Sequence, residues 1–156
     1  MRKQFSYGIL VTAVSMVLLT TFILLNRSHQ QRHFSCYTHY HSRKNTLSLN
    51  VILRFDFNGD EGIVTMTGRV NDERGGSQVV NKKMLYSFTH TASHYLMISK
   101  KKFTPPHDEA DDASLAQFVA PFFFEEGHKL LYRFFAQKNG DYLIEDGKLP
   151  LGYCQS

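Results

Sequence analysis

The sequence lacks the motifs by which many enzymes are recognised. It contains no G-x-S-x-G nucleophile turn, no H-E-x-x-H zinc motif and no phosphate-binding P-loop. Serine, histidine and aspartate are all present, but no spacing singles out a catalytic set. We therefore expect no catalytic residues, no cofactor, no metal and a function other than catalysis.

Tryptophan is absent, and the basic residues are not accompanied by a zinc-finger, winged-helix or RNA-binding aromatic pattern. A net charge of +4 is by itself an argument about solubility and surface attraction. We expect no direct binding to nucleic acid. Thirteen Phe and eight Tyr bring the aromatic content to 13%. That content suits a β-rich core and is unlike the composition of a disordered chain.

Charge is also absent from residues 4–25. This apolar run is long enough for a helix across a hydrocarbon core of roughly 30 Å. A cleavable signal peptide is the alternative, but its apolar part usually has about 7–15 residues and ends in a small-x-small site. Here the run leads into Leu25 and Asn26 without such a site. We predict an uncleaved membrane anchor.

The anchor divides the chain into a cytoplasmic tail at 1–4, a transmembrane helix at 5–25, a juxtamembrane connector at 26–45 and an outer domain at 46–156. A short basic start, Met1-Arg2-Lys3, normally stays cytoplasmic. The predicted location is therefore a bacterial inner membrane, crossed once, with the C-terminal domain in the periplasm.

Of the two cysteines, Cys36 lies just past the predicted anchor, and Cys154 is the third residue from the C-terminal end. Neither belongs to a C-x-x-C or Cys/His metal pattern. A disulfide between them would tie the start of the outer domain to its end, and such bonds persist outside the cytosol. Two unpaired buried thiols are the alternative.

Strict alternation of apolar and polar residues over Thr46–Phe57 predicts a half-buried strand. Further strands are predicted over 63–70, 78–91, 93–103, 128–137 and 141–145, separated by Gly- and Asn-containing turns. The total of six or seven strands in an antiparallel meander predicts a mainly β domain, curled into a small barrel or sandwich.

The acidic, proline-containing segment 104–114 breaks the strand pattern and predicts an exposed loop. Asp111 or Asp112 is a candidate cap for a short helix over 114–119, which Pro121 would end. The run Phe122–Phe124 belongs either to the core or to an edge that pairs with a partner sheet. The apolar interior is either filled or open to a lipid-like ligand.

Eight histidines offer a response to acid, because the imidazole side chain titrates near physiological pH. The candidate pH-sensing residues are His39, His41, His90 and His94. On an extended segment, His39 and His41 point to one side. No third metal ligand accompanies either pair.

Several segments together resemble the FidL-like family, of the MyfF and PsaF type. They are the basic start, the anchor, Cys36 soon after it, the hairpin FDFNGDEGIVTMTG and the ending DYLIEDGKLPLGYC at 141–154. Members of this family are similar to the ToxS-like accessory proteins of ToxR-like membrane transcription regulators.

This resemblance implies a lipocalin-like outer domain that binds, stabilises or activates a ToxR-like regulator as a heterodimer, with acid or a small amphipathic ligand as signal. A stand-alone periplasmic protein that binds lipid or bile-type molecules is the alternative function. A component of secretion or adhesin assembly is a third.

Overall fold

The N-terminal unit of the chain is one helix, α1, which spans Arg2–Arg32. The structure, a computed structural model, describes residues 2–147 and 149–156, without the side chains of residues 2–11, 27 and 28. Among the helices of this described part, none combines the length and the apolar character that a bilayer crossing requires. Met1 and the side chains of residues 5–11, within the predicted tail and anchor, lie outside the described residues.

The second unit, Phe34–Ser156, is built on one antiparallel sheet of eight strands in the order of the sequence. The strands are β1 (His33–Lys44), β2 (Leu47–Asn58), β3 (Glu61–Asp72), β4 (Ser77–Thr91), β5 (His94–Phe103), β6 (Lys129–Ala136), β7 (Tyr142–Asp146) and β8 (Leu149–Cys154). Such a meander arises when short turns join strands that each bury one face.

The sheet curls until its first and last strands meet. Tyr37 and Gln155 form an antiparallel bridge with two backbone hydrogen bonds of 2.8 Å. The disulfide between Cys36 and Cys154 lies beside this bridge. The domain is therefore a nearly closed up-and-down barrel, and the predicted cysteine pairing is confirmed.

The core follows directly from the alternation in β2. Leu49, Val51, Leu53, Phe55 and Phe57 are buried, and the residues between them are exposed or half-buried. Neighbouring strands add aromatic side chains to the same interior, where rings meet edge-to-face at the spacing such pairs prefer; for example, the Phe57 and Phe88 ring centroids lie 5.0 Å apart. Of the two alternatives for the interior, the structure has the filled one.

The connection between β5 and β6 contains the short helix α2 (Asp112–Leu115) and a 3-10 turn at Pro121–Phe123. Asp111 caps α2 by accepting a hydrogen bond from the Ser114 amide. Helix α2 begins and ends earlier than predicted, and Pro121 begins a 3-10 turn where it was expected to end a helix. Proline suits that first position because its missing N–H has no partner there in any case.

Phe122, Phe123 and Phe124 are all buried. The Phe run therefore belongs to the core, which was one of its two interpretations.

Two predicted features differ from the structure. Residues 26–45, interpreted as a connector, contain the end of α1 and all of β1. The segment 104–114, predicted to be an exposed loop, is partly buried: the Asp108 side chain is 3% exposed and Ala110 is buried. The reason is an ion pair with a buried lysine on β4, described below.

Candidate functional site

Four large apolar side chains are exposed where the barrel closes. Leu149, Leu151 and Tyr153 on β8 are 72%, 41% and 64% exposed, and Tyr37 on β1 is 38% exposed. The Tyr37–Gln155 bridge places the two strands side by side at this position. We call these four residues the seam patch.

The apolar surface continues from Tyr153 across the outside of the sheet. Tyr153 pairs with Leu143 on β7, and Leu143 pairs with Phe135 on β6. Leu143 and Phe135 are half-buried, while their chain neighbours Ile144 and Phe134 are buried in the core. Contiguous apolar surface on a folded domain is typical of a contact site for another molecule.

A cleft of about 150 Å³ reaches into the barrel beside the seam patch. Its walls are mostly apolar and come from β1, β2, β6, β7, β8 and the segment that follows α2. Residues that line it include Tyr40, Leu53, Val119, Tyr132, Ile144, Asp146 and Leu151.

Four polar side chains lie at this cleft: Thr38, Tyr40, Tyr132 and Asp146. The Tyr40 hydroxyl donates a 2.9 Å hydrogen bond to the Phe118 carbonyl. Tyr132 and Asp146 are direct partners in the register of β6 and β7. Burial, together with the nearby Asp146 carboxylate and Tyr40, raises the pKa of the Tyr132 hydroxyl, so it stays protonated as a hydrogen-bond donor at neutral pH.

A second polar cluster lies on the inner side of β4. Lys82 on β4 is 4% exposed and faces the interior. Its ammonium nitrogen lies 2.6 Å from the Asp108 carboxylate, 3.1 Å from Asp112 and 2.8 Å from the Ala110 carbonyl. Lys102 binds the other oxygen of Asp112. The cluster holds the connection between β5 and β6 against the barrel.

Burial is the largest influence on the Lys82 ammonium and lowers its pKa. The hydrogen bonds and charges of Asp108 and Asp112 act in the opposite sense, and the net pKa is raised. The Asp112 carboxyl shows the converse: burial raises its pKa, but Lys102 and Lys82 together lower it. Both groups therefore remain charged at neutral pH.

The sequence reasoning did not identify this cluster, although a signal for it exists. Every second residue of β4 points inward, and these inward positions include Val80, Met84, Tyr86 and Phe88. Lys82 occupies the inward position between Val80 and Met84. A lysine at a core position requires an acid, and the acidic segment 104–114 is the richest source.

The candidate histidines lie in two separate places. His39 and His41 are exposed on the same side of β1, and the His39 ring lies 6.2 Å from that of Tyr37 in the seam patch. His90 and His94 flank the turn between β4 and β5. His90 stacks on Tyr95 at 5.4 Å, whereas His94 is exposed. The two pairs do not share a strand, so they are not one cluster.

Over the residues that the structure describes, no group of three or more His, Cys, Asp or Glu side chains is arranged to hold a metal ion.

The fold and the site together define a nearly closed, disulfide-tied eight-stranded barrel with exposed apolar side chains along the seam where it closes. A family model described as the YqeJ C-terminal domain matches residues 32–154. The chain belongs to this family, whose matched region begins at the end of α1 and ends at the disulfide cysteine of β8. No curated protein and no solved structure gives a significant match.

Proposed function

We propose that this protein is an accessory subunit that binds a ToxR-like transmembrane transcription regulator through its barrel domain and stabilises or activates it. The observation that carries the proposal is the seam patch, which leaves four large apolar side chains exposed on two adjoining strands. A partner that covered them would bind the folded barrel, and by mass action each protein would stabilise the other.

The filled interior supports a role in protein contact. The core aromatic residues occupy the space that an open barrel would offer to a lipid. Ligand sites for drug-sized molecules usually enclose about 300–1,000 Å³, whereas the cleft here has about 150 Å³. A stand-alone carrier of bile-type or lipid molecules is therefore the less supported function.

The proposed setting is a bacterial inner membrane, with α1 as the anchor and the barrel in the periplasm. The uncharged stretch 4–25 supports an anchor. Within it, large apolar side chains from Val14 to Leu25 are exposed, including Phe22 at 71% and Leu25 at 69%. The disulfide supports an oxidising compartment for the barrel.

A response to acid is part of the same proposal. His39 lies beside Tyr37, so protonation of His39 and His41 would place positive charge at the margin of an apolar contact. Charge at that position would weaken binding to an apolar partner or favour an acidic one. His90 and His94, which flank the turn between β4 and β5, belong to other strands and would act elsewhere.

The test uses the full chain, co-expressed with a neighbouring reading frame that encodes a winged-helix domain and one membrane span. The two proteins are expected to co-purify from solubilised membranes, and deletion of this chain is expected to lower the regulator's level and its target transcription. Tyr153→Arg and Leu149→Arg should each reduce co-purification at least about tenfold, since each places a charge where the partner would bury an apolar side chain.

Ile52→Arg is the matched control, because Ile52 is also an exposed apolar side chain, at 38%, but lies on β2 outside the seam patch. Non-reducing electrophoresis would verify that every variant retains its disulfide. If the seam variants bind the regulator as well as wild type does, the contact surface is elsewhere. If deletion leaves the regulator and its targets unchanged in neutral and acidic media, the proposed function is wrong.

A further inference from the structure

We infer that the cleft between β1, β7 and β8 is a binding site for a small single-ring aromatic molecule that carries a neutral or cationic polar group. The cleft opens beside the seam patch and shares Leu151 with it, and the inference stands or falls independently of the regulator proposed above. Its ligand class follows from the size of the cleft, the chemistry of its walls and the charge at its edge.

Size limits the ligand to about one ring. A dry cavity of about 150 Å³ lined by Leu, Ile and Phe accommodates benzene. The cleft has about 150 Å³ and is lined by apolar side chains of the same types, including Leu53, Phe55, Leu130 and Ile144. A steroid or a fatty acyl chain needs several times that volume.

The wall that would have to move to enlarge the cleft is firmly held. Phe118, Val119 and Ala120 form this wall. The Phe118 and Val119 amides donate to the Leu115 carbonyl at 2.9 and 3.1 Å, and the Phe118 carbonyl accepts from Tyr40. The next residues, Phe122 and Phe123, are buried in the core. Displacing this segment would expose two Phe side chains and break these hydrogen bonds, so the cleft keeps its size.

The polar groups select the ligand's substituent. Asp146 supplies a carboxylate at the edge of the cleft, and it pairs in register with Tyr132. A carboxylate accepts hydrogen bonds from a hydroxyl or an ammonium group and repels an anion. Phenol and benzylamine fit this arrangement, whereas benzoate and cholate carry the wrong charge.

The experiment titrates phenol, benzylamine, benzoate and cholate into the full chain held in lipid nanodiscs, with empty nanodiscs as the blank for partition into lipid. The readout is the methyl NMR shifts of Leu53 and Ile144, which line the cleft. Phenol and benzylamine should shift these methyl signals saturably, with a Kd on the order of 1 mM for ligands of so few atoms. Benzoate should bind at least about threefold more weakly than benzylamine.

Leu151→Trp and Val119→Phe should fill the cleft and weaken phenol binding about tenfold or more. Ile52→Trp is the matched control, since Ile52 is an exposed side chain on the outward side of β2 that does not line the cleft; the phenol affinity of this variant should stay within about twofold of wild type. Asp146→Asn should weaken benzylamine about threefold and leave phenol unchanged.

The inference is overturned if neither phenol nor benzylamine gives a saturable shift up to roughly 20 mM. It is also overturned if Leu151→Trp and Val119→Phe both bind phenol like wild type. Tighter binding of cholate than of phenol would instead identify the site as one for amphipathic steroids. Because none of these readouts involves the regulator, their failure and the failure of the proposed function can be told apart.

Discussion

Lys82 and Asp108 form an ion pair of 2.6 Å in which the two side chains are only 5% and 3% exposed. The two residues lie on β4 and on the connection between β5 and β6, so the pair joins a central strand to the segment that fills one side of the core. The Asp108 carboxylate also accepts a 2.9 Å hydrogen bond from the backbone N–H of Asn81. Each of the two buried charges therefore has a partner of opposite charge and a further hydrogen bond to the backbone.

Removing one member of this pair should be costly, because the other charge is left buried without its partner. We expect Lys82→Met or Asp108→Asn to lower the free energy of unfolding by about 3–5 kcal/mol. The neighbouring Lys83→Met, on the outward side of the same strand, should change it by less than about 0.5 kcal/mol. Urea unfolding of the purified chain measures both effects.

The double variant Lys82→Met/Asp108→Leu supplies a further control. Replacing both charges by apolar groups is often neutral, so this variant should recover most of the loss. If Lys82→Met unfolds at the same urea concentration as wild type, the buried pair does not exist in solution.

The disulfide should contribute to stability through the length of the chain that it closes. Cys36 and Cys154 are separated by 118 positions, and the chain-entropy model assigns such a loop up to about 5 kcal/mol. Reduction, or the Cys36→Ser/Cys154→Ser variant, should lower the unfolding free energy by an amount approaching that value. Adding reductant to the double-serine variant should have no further effect, and an equal loss there would point to a cause other than the disulfide.

Gly62 lies where β3 passes close to Tyr86, and a larger residue would not fit. An added Cβ would overlap the Tyr86 ring and lie 2.5 Å from the Asp56 carbonyl oxygen, which accepts the Tyr86 hydroxyl hydrogen bond at 3.3 Å. Gly62→Ala should therefore lower the unfolding free energy by about 1–3 kcal/mol. In Gly76→Ala, the nearest atom would be Asp72 Cβ at 3.7 Å. The thermal midpoint of that control should stay near the wild-type value, and equal effects would exclude steric overlap as the cause.

The strands that the sequence predicted well are those whose burial depends on local alternation. β2 was predicted over 46–57 and spans Leu47–Asn58, because five inward apolar residues alternate with outward ones. The two strands that close the barrel, β1 and β8, were not predicted. β8 contains Pro150 and Gly152, which disfavour strands. In β1, the polar Thr38 interrupts the series of inward apolar residues on which the prediction of a half-buried strand depends. The pairing of these two strands depends on residues at the far end of the chain.

Most of the candidate site could not be predicted from local sequence patterns either, because it too depends on residues from opposite ends of the chain. Tyr37 and Tyr153 come together only because the sheet closes, and no local pattern reports closure. The cysteines were the exception, since two Cys in a chain of this kind have few other uses. Lys82 occupies an inward position of β4, but the alternation of apolar residues that predicts a strand does not indicate a buried charge.

Buried tyrosines should make the barrel unfold in alkali. Burial raises the pKa of Tyr95 to about 12 and also raises the pKa of Tyr86 and Tyr132, because a phenolate cannot be solvated inside the core. A folded pKa above the unfolded value of about 10 contributes stability that is present below pH 10 and is lost as the pH rises towards 12. The free energy of unfolding should therefore fall over this window, by on the order of 2 kcal/mol for Tyr95 alone.

Tyr95→Phe keeps the ring and removes the ionisable hydroxyl, so it should move the midpoint of alkaline unfolding to higher pH. Tyr37→Phe, on the exposed seam patch, is the matched control and should leave that midpoint unchanged. The measurement is tyrosinate absorbance followed together with circular dichroism during a pH titration. Part of the tyrosinate signal should appear only when the β-sheet signal is lost. If all tyrosines ionise near pH 10 while the barrel remains folded, the core is open to water and this account of its packing is wrong.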